Sequence, residues 1–243
     1  MTMASFGREI EPALLWDQSP PLHAAFESAS PPMQALGRSL AQTARHTVPV
    51  LLVGETGTGK PTFARALHAM SSRAAQPFVR VDCPVAAGDL SMEAQAAGRG
   101  TLFLDEIAEL PPTVQTAALR LLQDPGRLRG RLVASTCHDL QAEMAAARFR
   151  KDLFYRLAVV EIRVPPLRER AEDILPIARA FVASLAREEG RPPPELGPAL
   201  ERALLHYSWP GNVQELLGIL QRVFALSPGS GLDVAALPDR LST

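Results

Sequence analysis

A glycine-rich turn between an apolar run and a helical pattern constrains this chain more than any other feature. The run VPVLLVG (48–54) predicts a buried strand ending in glycine, and PTFARALHAM (61–70) has helical apolar spacing. The intervening GETGTGK (54–60) lets backbone N–H groups point at phosphate oxygens, and the helix start adds partial positive charge. The GxxxxGK pattern in this strand–loop–helix context predicts a site for a nucleoside triphosphate.

The residue after the loop lysine departs from that pattern. Lys60 is expected to reach the β- and γ-phosphates, but Pro61 stands where a serine or threonine usually ligates Mg²⁺. Proline in a first helical turn costs no intrahelical hydrogen bond, although one donor that could face phosphate is absent. The loop residues expected to bind ATP are Gly54, Glu55, Thr56, Gly57, Thr58, Gly59, Lys60, Pro61 and Thr62.

An acidic strand end completes the predicted site. The stretch GTLFLDEI (100–107) is apolar until Asp105 and Glu106 end it. An aspartate placed there can hold Mg²⁺, directly or through water, and the following glutamate can polarise a hydrolytic water. Paired with the glycine loop, this strand end predicts the metal ligand Asp105 and the catalytic residue Glu106.

Strands and helices alternate over the first two thirds of the chain, which predicts an α/β fold with a five-stranded, mainly parallel sheet. The region after PPLRER is helical throughout and predicts a small helical satellite, whereas residues 1–31 are poorly patterned and are expected to form an irregular arm. The remaining predicted strands are 77–83, 131–137 and 158–164, and the remaining predicted helices are 33–46, 112–124, 149–157, 171–190, 195–209 and 211–227.

Composition excludes several classes of protein. The formal net charge of −1 over 243 residues gives no global attraction to nucleic acid or to an anionic membrane. No apolar run approaches membrane-spanning length, and the N-terminus has no secretory pattern. The two cysteines, Cys83 and Cys137, form no metal or redox motif. We therefore expect a cytoplasmic protein with reduced thiols.

Five motifs in order carry a family resemblance: GETGTGK, GTLFLDEI, RFRKDLFYRL, VPPLRERAEDI and YSWPGNVQEL. Together they resemble the central AAA+ domain of bacterial enhancer-binding proteins, the activators of sigma-54 RNA polymerase. The resemblance implies a P-loop AAA+ α/β domain over residues 32–168 and a helical lid domain over 169–243. It also implies a ring of AAA+ subunits, of this chain or of a related activator, with ATP between neighbours.

The resemblance assigns roles residue by residue. Arg150 and Arg156 match arginine fingers, which reach into the neighbouring subunit's site, and Thr136 matches the polar sensor residue at the end of the fourth strand. Gln214 replaces a lid arginine that contacts the γ-phosphate, so it keeps hydrogen bonding and loses the charge. In LRER, Arg168 and Arg170 are expected to tie the two domains together.

The segments that touch sigma-54 in this family are shortened here. The stretch PVAAGDLSMEAQAAGR (84–99) lacks the GAFTGA loop, and only DPGRLRG (124–130) remains of a second loop. Both losses argue against contact with sigma-54. The chain ends after the lid without the usual helix-turn-helix, so we expect no direct DNA binding by this chain.

The chemistry is altered as well. Asp82 stands where the family has an asparagine that holds the catalytic glutamate, and Cys137 stands where it has another asparagine. A carboxylate cannot donate the amide hydrogen bond and repels a second carboxylate, so slow or absent hydrolysis is expected. Three functions stay open: an ATP-binding subunit in transcription regulation that completes a partner's site, a non-catalytic protein that restrains a true activator, and a remodelling ATPase on another target.

Overall fold

Five strands form one sheet in this computed structural model, and every pairing in it is parallel. The structure describes residues 28, 30–124, 126–227, 231–232 and 234–241; most of the expected arm (1–31) therefore lies outside the described residues. The strand order is β2-β3-β4-β1-β5, which confirms the α/β class and makes the sheet parallel throughout. The strands are β1 Val50–Val53, β2 Phe78–Asp82, β3 Thr101–Asp105, β4 Arg131–Thr136 and β5 Val160–Arg163.

Helices fill the connections between strands and build the lid. Within the described part of the chain, none of them is long and apolar enough to cross a membrane. Two short helices, α3 and α5, were not predicted, and α3 lies inside the segment expected to be a shortened loop. The helices are α1 Pro31–Ala44, α2 Lys60–Ala69, α3 Ser91–Ala97, α4 Pro112–Gln123, α5 Leu140–Ala145, α6 Lys151–Leu157, α7 Ile174–Glu188, α8 Pro198–His206 and α9 Asn212–Leu226.

The sheet is buried on both faces because helices cover each side of it. Successive residues of a strand point to opposite faces, so they enter different cores. On β1, Leu51 joins the core beneath α4 and α6, whereas Val50 and Leu52 join the core beneath α1 and α2. A separate core fills the lid, where α7, α8 and α9 pack around the fully buried Trp209. The Trp209 indole N–H donates to the Leu204 carbonyl at 2.8 Å, which satisfies its one polar atom.

The strand order brings the chemistry-bearing ends together. β4 lies between β1 and β3, and the carboxyl ends of all three strands meet at one edge of the sheet. The glycine loop follows β1. Asp105 is the last residue of β3 and Glu106 is the next residue, and Thr136 is the last residue of β4. Ligands of open α/β sheets bind at this edge, so the topology places the predicted nucleotide residues around one crevice.

Candidate nucleotide-binding site

The glycine loop turns into α2 through left-handed backbone. Gly57 has φ +78° and Gly59, the N-cap of α2, has φ +95°, a conformation that residues with a Cβ rarely adopt. α2 begins at Lys60, so Pro61 lies in the first turn as predicted, where its missing N–H breaks no helical bond. The loop and the helix start therefore have the shape of a phosphate-binding turn.

Lys60 is the centre of this turn. It is only 3% exposed, and its Nζ donates to the carbonyl oxygens of Gly54 at 2.9 Å and Glu55 at 3.2 Å. The same Nζ forms an ion pair with Oε1 of Glu106 at 2.8 Å. The ammonium group thus joins the glycine loop to the end of β3, and a triphosphate would compete with Glu106 for its charge.

Glu106 is held in an unusual backbone conformation. Its φ of +57° is left-handed, its N–H donates to Ser135 Oγ at 3.1 Å, and its Oε2 accepts the Cys137 N–H at 2.8 Å. Burial raises the pKa of Glu106, but the hydrogen bond and charge of Lys60 outweigh burial and hold the pKa below its ordinary value. The carboxylate is therefore charged at neutral pH and bound on both oxygens.

Asp105, the predicted metal ligand, is also bound on both oxygens. Oδ1 accepts a short hydrogen bond from the Ser135 hydroxyl, and Oδ2 forms an ion pair with Arg80 Nη2 at 2.8 Å. The described residues contain no group of three or more His, Cys, Asp or Glu side chains that could hold a metal. Mg²⁺ at a triphosphate is usually held by one or two carboxylates together with phosphate oxygens and water. Arg80 already occupies the position beside Oδ2 of Asp105, so in this arrangement the residues present do not fit direct coordination of the ion there.

Thr136 lies where the sensor residue was predicted, at the end of β4. Its carbonyl accepts the Gly54 N–H at 3.2 Å, and its hydroxyl accepts the His138 N–H at 3.0 Å. The side chain is fully buried and stabilises the turn after β4. In this structure Thr136 therefore positions the start of the glycine loop.

The lid contacts the glycine loop through charged side chains near its first residues. Arg168 forms two hydrogen bonds with the Glu55 carboxylate, at 2.6 and 2.8 Å, and Arg170 donates to the Thr58 carbonyl at 2.8 Å. The hydrogen bond from Arg168 lowers the pKa of Glu55 to about 2. Asn212, at the start of α9, donates to the Thr56 carbonyl at 2.9 Å. The expected link between the two domains is therefore present.

The start of α9 lies directly on the glycine loop. The Gln214 N–H donates to the Gly57 carbonyl at 3.2 Å, so the loop supplies an acceptor for the unpaired first turn of α9. A Cβ on Gly57 would lie 2.2 Å from the Gly211 carbonyl oxygen. Gln214 thus lies beside the predicted phosphate position, and its side chain is exposed.

The two predicted arginine fingers lie outside this crevice. Arg150 is exposed at the start of α6, where it pairs with Asp152 at 2.7 Å. Arg156 is exposed toward the end of the same helix and donates to the Leu122 carbonyl of α4 at 3.5 Å. Both arginines therefore make these contacts on α4 and α6 rather than at Lys60, and their assignment as fingers stays a prediction.

Sequence reasoning missed three residues of the site: Arg80, Ser135 and Asn212. Strand alternation places Arg80 and Asp82 on the same side of β2, but Arg80 could be placed near Asp105 only once the structure had shown that Asp82 is in register with Asp105. Ser135 and Asn212 gave no signal either, because the side chain of each bonds to a backbone group that is distant in sequence, the Glu106 N–H and the Thr56 carbonyl.

These contacts define a class of protein: a P-loop domain whose nucleotide crevice lies between a parallel sheet and a helical lid. Two family profiles match the chain, described as "Sigma-54 interaction domain" over residues 28–167 and "AAA+ ATPase lid domain" over residues 168–243. The chain therefore belongs to the sigma-54 interaction domain family of AAA+ proteins.

Relatives of known role support this membership. The alginate biosynthesis transcriptional regulatory protein AlgB of Pseudomonas aeruginosa is 38% identical over 86% of this chain and 53% of its own length. The response regulator protein PilR of the same organism is 40% identical over 81% of this chain and 51% of its own length. The chain thus spans about half the length of these relatives.

Solved structures agree with the fold. Crystal structures of NtrX from Brucella abortus, in complex with ATP or with ADP, both match at a TM-score of 0.80. The ATP complex is 32% identical and covers 88% of this chain and 56% of that chain. The RuvB branch-migration motor of Thermotoga maritima matches at a TM-score of 0.60 and 16% identity over 84% of this chain and 65% of that chain, which shows the fold alone.

Proposed function

We propose that this chain is an ATP-binding AAA+ module of transcription regulation that hydrolyses ATP slowly or not at all and acts through a partner AAA+ subunit in the cytoplasm. The observation that carries the proposal is Lys60, buried at the start of α2 and surrounded by loop carbonyls. The NtrX structures, which are complexes with ATP and with ADP, support nucleotide binding by this chain.

Each residue has a defined task in binding. The glycine loop and the first turn of α2 offer backbone N–H groups to phosphate oxygens, and Lys60 supplies the charge. The backbone N–H of Gln214 donates to the Gly57 carbonyl, which places the Gln214 side chain where its amide could give phosphate a neutral hydrogen bond from the lid. ATP must separate Lys60 from Glu106, so we expect weaker binding than a free lysine would give.

Two features support weak hydrolysis. Glu106, the residue expected to orient water, has both carboxylate oxygens bound to Lys60 and the Cys137 N–H. Asp82, at the end of β2, is a carboxylate at the position where the family has an asparagine. The carboxylate of Glu106 is therefore not free to take a proton from water, and Asp82 cannot donate the amide hydrogen bond that holds the glutamate in the family.

Action through a partner is supported by the exposure of Arg150 and Arg156 on α6. Side chains that complete a neighbour's site must be on the surface of their own subunit. A second candidate, a non-catalytic protein that restrains a true activator, is favoured by the contacts that close the lid on the glycine loop, Arg168–Glu55 and Arg170–Thr58.

Calorimetric titration of ATP and ADP, with and without Mg²⁺, tests nucleotide binding directly. We expect saturable binding that Lys60→Ala abolishes, with turnover far below that of an active AAA+ ATPase. Lys151→Ala, which removes an exposed lysine of α6, is the matched control. No binding at millimolar ATP would contradict the proposal, and rapid hydrolysis would contradict its second half.

The same variant separates the two candidate functions in the cell. A module that works through ATP should lose its effect on transcription when Lys60 is replaced by alanine. A restraining protein that uses nucleotide only for stability should keep its effect. An unchanged Lys60→Ala phenotype would therefore favour the second candidate.

A further inference from the structure

Arg80 places a positive charge on the carboxylate that was expected to bind Mg²⁺. It lies on β2, two residues before Asp82, and its Nη2 is 2.8 Å from Oδ2 of Asp105. The other oxygen of Asp105 accepts the Ser135 hydroxyl, so each carboxylate oxygen already has a partner and Oδ2, the oxygen facing Arg80, already has a cation. Arg80 lies at the edge of the crevice and belongs to the same chain as the glycine loop.

The surroundings make this pair more than a surface contact. The Asp105 side chain is 9% exposed and the Arg80 side chain 36% exposed, so the carboxylate is screened from water while the guanidinium has one open side. Exposed ion pairs contribute little, but a buried carboxylate that loses its partner carries a large penalty. The buried negative charge of Asp105 is therefore compensated by the Arg80 guanidinium, and removal of Arg80 leaves it uncompensated unless another cation binds there.

Mg²⁺ is a poor competitor for such a site. It requires near-octahedral oxygen ligands and gives up its water slowly, whereas the guanidinium is already in place and needs no dehydration at binding. The two opposite charges lie 2.8 Å apart at a carboxylate that is 9% exposed, so they attract each other more strongly than they would in bulk water. Direct coordination of Mg²⁺ through Oδ2 of Asp105 requires the Arg80 side chain to leave first.

We propose that Arg80 is an internal cation that takes the place of Mg²⁺ at Asp105, so that this chain binds ATP without requiring a divalent metal ion. The proposal rests on the proposed function, since it concerns how the same crevice holds ATP. It makes Arg80 a residue that determines metal dependence, and it assigns the metal-free triphosphate as the ligand.

Nucleotide affinity with and without metal is the first test. ATP is titrated into the wild type, Arg80→Ala and Arg80→Gln, each in excess EDTA and in excess Mg²⁺. We expect Mg²⁺ to change the wild-type Kd by less than about threefold and to tighten binding to both variants by about tenfold or more. Arg179→Ala, which removes an arginine paired with Glu201 at 2.7 Å in the lid, should behave like the wild type.

Metal binding without nucleotide is the second test. Mn²⁺ is titrated into nucleotide-free protein and free Mn²⁺ is followed by electron paramagnetic resonance. We expect the two Arg80 variants to bind one more Mn²⁺ than the wild type, and the added Asp105→Asn substitution to remove that ion. Melting temperatures of all variants establish that each is folded, and the glutamine variant serves if the alanine variant is not.

The two tests separate the two proposals. If the wild type already needs Mg²⁺ for ATP and the Arg80 variants show the same dependence, the role of Arg80 is refuted. If no protein binds ATP, the proposed function fails, and the Mn²⁺ titration alone decides about Arg80. Equal Mn²⁺ binding by the wild type and the variants would then refute the inference.

Discussion

The charge of Lys60 is shared among three acceptors before any ligand arrives. Two are backbone carbonyls of the glycine loop and the third is Oε1 of Glu106. Glu106 is itself fixed, because its left-handed backbone is stabilised by Ser135 and its second oxygen by the Cys137 N–H. Left-handed conformation costs a residue with a Cβ about 1 kcal/mol or more, so these contacts are needed to maintain it.

Glu106→Gln tests whether this ion pair restrains nucleotide binding. The neutral amide keeps the shape but removes the negative charge beside Lys60, so the triphosphate no longer competes with a carboxylate. We expect ATP affinity in EDTA to rise by roughly threefold to tenfold, measured by calorimetry.

Glu201→Gln is the control for the loss of a carboxylate, because Glu201 lies in the lid and pairs with Arg179. Its ATP affinity should match the wild type. Weaker binding by Glu106→Gln would show that the carboxylate supports the site, and the competition argument would fail.

Two elements, the glycine loop and the start of α9, pack so closely that only glycine fits at Gly57. A Cβ there would lie 2.2 Å from the Gly211 carbonyl, and the backbone has φ +78°. We expect Gly57→Ala to displace the lid and lower the melting temperature, by about 2 to 4 °C for each kcal/mol lost. Differential scanning calorimetry measures the shift.

Gly88→Ala is a matched control, because Gly88 has φ +86° but a Cβ there would meet nothing within 4 Å. The control isolates the conformational cost, about 1 kcal/mol, from the cost of the clash. We expect the loss at Gly57 to exceed the loss at Gly88 by roughly 2 kcal/mol. Equal losses would mean that the lid does not rest on the loop in solution.

The link between Glu55 and Arg168 gives the lid a pH dependence. The pKa of Glu55 lies at about 2, below the ordinary value of 4.5, so the link stabilises the folded state above pH 4.5. That stabilisation is lost as the pH falls from 4.5 toward 2, when the carboxylate takes up a proton. Urea unfolding of the wild type and Glu55→Gln should differ most at neutral pH and converge on acidification.

Glu161→Gln, at an exposed position on β5, controls for the general effect of removing a carboxylate. The stability difference between Glu161→Gln and the wild type should change less with pH than the difference for Glu55→Gln. A carboxylate with a lowered pKa loses its stabilising effect as the pH falls. If the stability difference between the wild type and Glu55→Gln instead grew as the pH fell, the link to Arg168 could not be its cause.

Periodicity and the order of motifs were enough to predict the sheet, the helical lid and the glycine loop. A continuous apolar run such as VPVLLVG is typical of a strand that is buried on both faces of a parallel sheet. Such runs could therefore be predicted as strands from the sequence alone. Helix α3 was missed because SMEAQAA is short and weakly patterned, and its helicity depends on packing against β2 and β3.

The residues of the candidate site could be predicted from the sequence, whereas the contacts between them could not. Gly57, Lys60 and Asp105 follow from motif and topology. The pairing of Asp105 with Arg80 depends on the register between β2 and β3, which a linear pattern does not contain. Contacts that join residues distant in sequence need the fold before they can be seen.

Assembly through α6 predicts that nucleotide affinity depends on protein concentration. If Arg156 of one subunit completes the site of the next, ATP binds the assembled form more tightly, and mass action links the two equilibria. A fluorescent ATP analogue titrated at low and high protein concentration should show a Kd that falls as assembly, followed by sedimentation velocity, proceeds. Arg156→Ala should keep the Kd measured at low concentration and lose the tightening.

Arg148→Ala is the control for this last prediction, because Arg148 is exposed just before α6 and pairs with Glu143 at 2.6 Å. It removes the same charge from the same surface, so a nonspecific electrostatic effect would appear in both variants. If the Kd for the ATP analogue still falls on assembly in Arg148→Ala but not in Arg156→Ala, the contact with the neighbouring subunit's site is made by Arg156. A Kd independent of concentration in the wild type, despite assembly, would mean that neighbouring subunits do not reach each other's nucleotide.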